Sequence, residues 1–189
     1  MFLTHRPTGS ELESFVTQSA DLSLSYHPIG ITKEHPAGYS VDIAKALLGR
    51  GRTVFTRAQE ALREWRQMDF GWVQVFPPNS PLAPGTVVAV QIEHHRRLWS
   101  LNGCRIVYSV DDRESSFGFA YGTLTNHAEM GEELFEISMN DLEEVTYRIC
   151  AVSKPRALLA RIGYPYARYS QARFRRDSIA AMKRHVDSR

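Results

Sequence analysis

Cysteine is scarce in this sequence. Two thiols in 189 residues, Cys104 and Cys150, are too few for a disulfide framework and lack metal-ligand spacing. Both fall in segments expected to be strands, where a free thiol packs as a small hydrophobe. The default setting for such a chain is a reducing compartment. Long hydrophobic runs are missing as well, since no stretch approaches the roughly 20 apolar residues of a membrane-spanning helix. The opening MFLTHRPTGSELESF has no apolar core of a secretion signal. These absences make the expected location cytoplasmic. Nucleotide and nucleophile signatures are also lacking. There is no Gly-x-Ser-x-Gly, no Gly-x-Gly-x-x-Gly and no phosphate-binding loop, and Gly49-Arg50-Gly51 is too short to serve as one. No Cys–His pair is placed by spacing, and no cofactor is expected.

What is present fits one globular domain: 43% hydrophobic and 23% charged residues, in a chain long enough to bury a sizeable core. Nine Phe, eight Tyr and three Trp favour a large core or an aromatic-lined cavity. The net charge of +2 is unevenly spread. Residues 154–189 carry ten Lys/Arg against Asp177 and Asp187, which leaves −6 on the rest. That asymmetry suits either a solvated helix offsetting an acidic body or a surface for nucleic acid or anionic membrane.

Residues 1–37 show little periodicity and read as an irregular arm, with a short helix over Glu11–Gln18; residues 38–189 read as a single domain. Gly38–Leu48 alternates as a strand, through Tyr39, Val41, Ile43 and Leu47, while its Ala, Lys and Leu content permits helix. Thr53 is placed to cap a helix over about 54–67, carried by Phe55, Ala58, Ala61, Leu62 and Trp65. From Phe70 the period becomes two. Strands are expected at Gly71–Phe76, Thr86–Glu93, Arg97–Leu101, Arg105–Val110, Phe117–Thr123, Glu132–Ser138 and Glu144–Val152, with Asn102-Gly103 among the turns between them. Short connections imply an antiparallel meander. Helical spacing returns with Leu158, Leu159 and Ile162, is interrupted at Gly163 and Pro165, and resumes from about Tyr166 to Val186. The fold class is α+β: an antiparallel meander gripping a long C-terminal helix, with a cavity between the two.

The hairpin Phe117–Phe135 concentrates the chemistry. Glu133, Phe135 and Ile137 share one strand face and Glu132 takes the other, which turns Glu133 toward the apolar side. A carboxyl there is desolvated unless paired, for instance with Arg105. His127 with Glu129, Glu132 and Glu133 forms the candidate acid/base group, with His127 and Glu133 foremost. Tyr121 and Thr123 face the same way, so Phe119, Tyr121, Thr123 and Glu133 are the candidate ligand-binding residues. Gly118 and Gly122 signal a bulge or a close approach by a ligand or by the terminal helix. Tyr26, His27 and His35 of the arm either close over the cavity mouth or cover a sheet edge. His94-His95 cannot chelate one ion from a regular strand, and no metal site is expected.

Several motifs occur in a fixed order: His27-Pro28-Ile29-Gly30, Leu48-Gly49-Arg50-Gly51, Gly71-Trp72, Asn102-Gly103-Cys104-Arg105, Tyr121-Gly122-Thr123-Leu124, His127, Gly131-Glu132-Glu133 and Ser153-Lys154-Pro155. In that order the chain resembles the domain of unknown function 1990 family, also called uncharacterised protein family 548, over about residues 24–185. It departs from the expected family pattern at Asn126 and at Lys154-Pro155. The resemblance implies no established activity. The element order is also similar to the helix-grip (START-like, Bet v 1-like) superfamily, whose members mostly hold apolar ligands between sheet and C-terminal helix. The expected function is therefore binding of a small hydrophobic or amphipathic molecule in that cavity. Two alternatives stand beside it: an enzyme with Glu133 and His127 as acid and base, and a binder of nucleic acid or anionic membrane through the basic helix.

Overall fold

In a computed structural model the alternating segments from Ser40 onward form one antiparallel sheet, and the structure describes residues 1–94, 98–112, 114–155 and 164–187. In chain order the elements are β1 (Phe2–Leu3), α1 (Gly9–Ser19), α2 (Ile31–Glu34), β2 (Ser40–Arg50), α3 (Arg52–Arg63), β3 (Val73–Phe76), β4 (Val87–Glu93), β5 (Trp99–Asp112), β6 (Ser116–Thr123), β7 (Glu129–Met139), β8 (Glu144–Pro155) and α4 (Tyr164–Asp187). The sheet order is β2-β8-β7-β6-β5-β4-β3, with β1 added against β5. Consecutive strands from β3 to β8 are neighbours, as a meander requires. β2 closes the row by pairing with β8. The segment Leu158, Leu159, Ile162 and Gly163 and the residues His95 and Arg97 lie outside the described residues.

Two expectations at element ends fail for local reasons. Thr53 does not cap α3: the cap position is Gly51, at φ 89, with no side-chain hydrogen bond. Asn102-Gly103 is not a turn but the middle of the 14-residue strand β5. Asn102 is buried, and its amide donates to Val90 O at 3.3 Å and to Ser100 Oγ at 3.0 Å. A Cβ on Gly103 would strike the side chain of Asn126. Both residue types serve packing there, where the sequence reads as a turn signal.

One face of the sheet, the inner one, is covered by α3 and α4. Phe55, Ala58 and Leu62 of α3 and Met182 and Val186 of α4 meet Phe119, Phe135, Ile137 and Tyr147 of the sheet, all buried. The Tyr147 hydroxyl lies 2.9 Å from Ser178 Oγ of α4, so these two buried hydroxyls satisfy each other. Burying each large side chain here contributes about 1.5–3 kcal/mol. The helix needs this packing, since its own propensity is weak support.

The outer face belongs to the N-terminal residues, which are more ordered than an irregular arm. Thr8 and Glu11 form a capping box on α1, with Thr8 N donating to Glu11 Oε2 at 2.8 Å and Glu11 N to Thr8 Oγ1 at 3.3 Å. Phe15 of α1 packs on Ala89 and Leu101. Tyr26 and Ile31 pack on Ala120, Leu134, Cys150 and Val152. Leu24 bridges to Leu124. The arm therefore covers a sheet face and leaves the end of the inner groove to other residues.

Candidate functional site

Strand register builds the site. Asp42 of β2 stands opposite Ala151 of β8, which stands opposite Glu133 of β7, which stands opposite Tyr121 of β6. One lateral row of the inner face thus reads Asp42, Ala151, Glu133, Tyr121. Below it Phe119 and Phe135 fill the space, with Trp65 edge-on to Phe119 at 4.7 Å. Phe119 is fully buried and belongs to the core beneath the row.

Tyr121 donates to Glu133 Oε2 at 2.6 Å. No other hydrogen bond to this carboxylate occurs among the described residues. Burial is the main cause that pushes the Glu133 carboxyl up to about 7; the tyrosine hydroxyl pulls the other way, and the charge of Glu129 adds to the rise. Glu133 is half-buried on the inner face.

The helix α4 contributes cations and an amide. Arg168 forks onto Asp42 with both terminal nitrogens, one at 2.8 Å, and Arg175 reaches Asp42 Oδ1 at 3.3 Å. Arg168 also donates to Gln171 Oε1 at 3.0 Å, and Gln171 Nε2 donates to both oxygens of Glu129 at 2.9 Å. Burial raises the Glu129 carboxyl, against the hydrogen bonds from Gln171 and Ser153. Asp42 sits at 12% side-chain exposure and Arg175 at 16%, so this pairing is largely shielded from solvent and salt.

The other expected site residues have local partners. His127 Nδ1 accepts from the Glu129 amide at 2.9 Å, which ties the imidazole to its own turn. Thr123 Oγ1 accepts from Gly131 N at 2.9 Å and lies 2.5 Å from Ser25 Oγ, so it fastens the hairpin end and the arm. Arg105 does not pair with Glu133; it donates to the carbonyls of Ala20 and Leu22 at 2.8 and 2.9 Å. The close approach at Gly122 comes from the Tyr26 ring of the arm, and at Gly118 from the backbone of Phe135.

Glu132 has a separate task on the outer face. It accepts from Tyr26 Oη at 2.7 Å, Gly30 N at 2.8 Å, Thr32 N at 3.3 Å and Thr32 Oγ1 at 2.5 Å. This is what the His27-Pro28-Ile29-Gly30 segment is folded around. Nearby, Cys150 Sγ lies 3.6 Å from His35 Nε2 and 3.7 Å from Thr32 O. Sequence spacing does not reveal this Cys–His pair, because His35 comes from the arm and Cys150 from β8. Burial raises the Cys150 thiol and keeps it protonated. Asp42 was the more legible omission: a lone acid on the face shared by Ala44 and Ala46, while Val41, Ile43 and Leu47 point outward and are exposed.

The remaining charges of α4 are distributed over the body. Arg173 and Arg176 meet Asp177 at 3.4 and 3.0 Å, Arg173 lies over the Trp72 ring at 4.3 Å, and Arg184 and His185 reach Asp69. His94 lies 2.8 Å from Ser100 Oγ. Among the described residues no group of three or more His, Cys, Asp or Glu is placed to hold a metal ion, and no helix is long and apolar enough to cross a membrane.

A family model described as Domain of unknown function (DUF1990) matches residues 25–181. The chain belongs to the DUF1990 family. It is 30% identical to a UPF0548 protein of Dictyostelium discoideum, over 100% of this chain and 97% of that one. It is 31% identical to a UPF0548 protein of Arabidopsis thaliana, over 80% of this chain and 75% of that one. The fold of this DUF1990 protein is helix-grip-like, as the element order implied. It is similar to a hypothetical protein from Helicobacter pylori, with a TM-score of 0.55 at 8% identity, over 87% of this chain and 97% of that one. It is also similar to the di-domain ARO/CYC BexL from the BE-7585A biosynthetic pathway, with a TM-score of 0.53 at 13% identity, over 84% of this chain and 53% of that one. At such identities the likeness concerns the fold alone.

Proposed function

We propose that this DUF1990 protein binds a small amphipathic molecule at the end of the groove between sheet and α4, with its polar group at Glu133 and Tyr121. The observation that carries the reading is Glu133 itself: on the inner face, half-buried, and holding one neutral hydrogen-bond partner among the described residues. Beside it Gly131, Ala151 and Ser153 present little bulk on the inner face, and the half-buried Phe174 of α4 packs edge-on over the core ring of Phe135, 6.2 Å away. A concave, mostly apolar lining with a few convergent polar groups is the usual character of a small-molecule site.

Native mass spectrometry of protein purified from its source tests this. A retained small molecule that departs on denaturation is expected, and Ala151→Leu, which fills the space between Asp42 and Glu133, should abolish its retention. Retention unchanged by that substitution would place the ligand elsewhere and sink the proposal.

A second reading, acid/base catalysis on the bound molecule, is favoured by one feature. Glu133 has no direct cationic partner among the described residues, since Arg168 and Arg175 both engage Asp42. A carboxyl near 7 is suited to exchanging protons at neutral pH. Turnover of the retained molecule by the wild type but not by Glu133→Gln is the expected sign. Equal turnover by both would remove Glu133 from the chemistry.

A further inference from the structure

We propose that the free edge of β2 receives an extended segment of another protein, added to the sheet as an antiparallel strand that carries an acid between apolar residues. The two ends of the sheet differ. β3 has four residues and runs into Pro77-Pro78, a short edge closed by residues that cannot donate a backbone hydrogen bond. β2 has 11 residues and no proline, and its register shift lies near its far end, between Leu47 and Gly49. One side of β2 pairs with β8; the other has no strand beside it among the described residues. The backbone N–H and C=O groups along that side are a template for a further strand.

The outer face of β2 dictates which side chains such a strand would carry. Val41, Ile43 and Leu47 share that face and are 40%, 48% and 51% exposed. Across from Val41 and Ile43 on β8 stand Val152 and Cys150, both buried with Tyr26 and Ile31 of the arm. The arm thus covers this apolar row as far as β8 and leaves its β2 end open. Lys45, also exposed, interrupts the apolar series. Its opposite number on β8 is Arg148, a like charge that Glu136 of β7 holds at 3.2 Å. Lys45 itself has no carboxylate partner among the described residues. The lateral row Glu136, Arg148, Lys45 therefore ends at the sheet edge on an uncompensated cation. An acid on the next strand would complete the row, since opposite charges across strands stabilise and like charges do the reverse. Read antiparallel to β2, the incoming segment is apolar, acidic, apolar and apolar at every second position, opposite Leu47, Lys45, Ile43 and Val41. A second copy of this chain fits less well. β2 carries no acid on this face, so no register of two-fold pairing sets an opposite charge against either Lys45.

The test is an amide NMR titration of the full chain with two synthetic peptides: acetyl-TVTETITVT-amide, and the same peptide with lysine in place of its glutamate. Shifts are expected at residues 40–50 and at their partners on β8. The glutamate peptide should bind roughly five- to tenfold tighter than the lysine peptide. Lys45→Glu, a change at an exposed side chain, should reverse that order. Equal affinities for the wild type, or an order unchanged in Lys45→Glu, overturn the proposal, as does the absence of shifts in β2 with either peptide. Sedimentation of the chain alone covers the other occupant. A monomer is expected; a dimer whose β2 amides shift with protein concentration would give the edge to a second copy and overturn the proposal.

Discussion

The Tyr121 hydroxyl and the Glu133 carboxylate face each other at 2.6 Å across a directly opposed pair of β6 and β7. The tyrosine is buried, and burial pushes the acid up to about 7, against an ordinary value of 4.5. A buried acid with a raised value is tolerated in its neutral form and costs stability once ionised.

The pH dependence of stability follows in sign. Below 4.5 both folded and unfolded chains keep this proton; between 4.5 and about 7 the folded chain holds it and the unfolded chain does not. Stability from this group is therefore lost as pH rises through that window and stays low above it. Glu133→Gln should flatten the slope and raise the unfolding free energy at pH 8 by on the order of 2 kcal/mol. Urea denaturation of both proteins from pH 4 to 8 measures it; parallel curves would show that Glu133 ionises as easily folded as unfolded.

Asp42→Asn should destabilise the protein by roughly 1–3 kcal/mol, because two guanidiniums lose their carboxylate and one of them is well shielded. It should also lower the Glu133 value. The negative charge of Asp42 raises that value and the positive charge of Arg175 lowers it, so removing the aspartate leaves the arginine unopposed. Titration of the Glu133 side-chain carbon by NMR reads the shift, and an upward movement would contradict this account of the site's electrostatics.

Glu132→Gln should release the arm. A carboxylate accepting from four donors becomes an amide that presents hydrogens to some of them, at a cost of roughly 2–4 kcal/mol. Hydrogen exchange should accelerate over residues 24–35 while α4 stays protected, and Cys150, lying beneath Thr32, should react faster with thiol reagents. Unchanged exchange in the arm would mean that apolar packing of Tyr26 and Ile31 suffices to hold it.

Gln67 is fully buried in the turn after α3, and among the described residues neither its amide nitrogen nor its oxygen has a hydrogen-bond partner. Gln67→Met keeps the volume and removes the unpaired polar atoms, so it should stabilise by about 1–2 kcal/mol. A higher melting temperature is the expected result. A lower one would reveal an ordered water or ligand on this side chain.

Strand alternation made the central part of the site legible. Period two on β7 sends Glu133 inward and Glu132 outward, and the hairpin brings Tyr121 opposite Glu133; both relations hold. Local patterns do not name distant partners. Gly122 announced a close approach, but the residue that approaches is Tyr26 from the arm. His127 sits among acids in sequence, while the geometry of its turn gives its Nδ1 to the Glu129 amide. Asn102-Gly103 has turn chemistry, yet neighbouring strands supply Asn102 with partners and Asn126 fills the place of a side chain at Gly103. Tertiary contacts outweigh local propensity at such positions.

Gly131-Glu132-Glu133 also bears on how relatives should be compared. Two identical side chains stand side by side, and only the pleat decides which one clasps the arm and which one meets Tyr121 on the inner face. An alignment displaced by one position would still match glutamate to glutamate while exchanging their tasks. Gly131 supplies the fixed mark, because the backbone of β8 leaves no room there for a Cβ. Counting from that glycine, the first acid belongs to the arm and the second to the site.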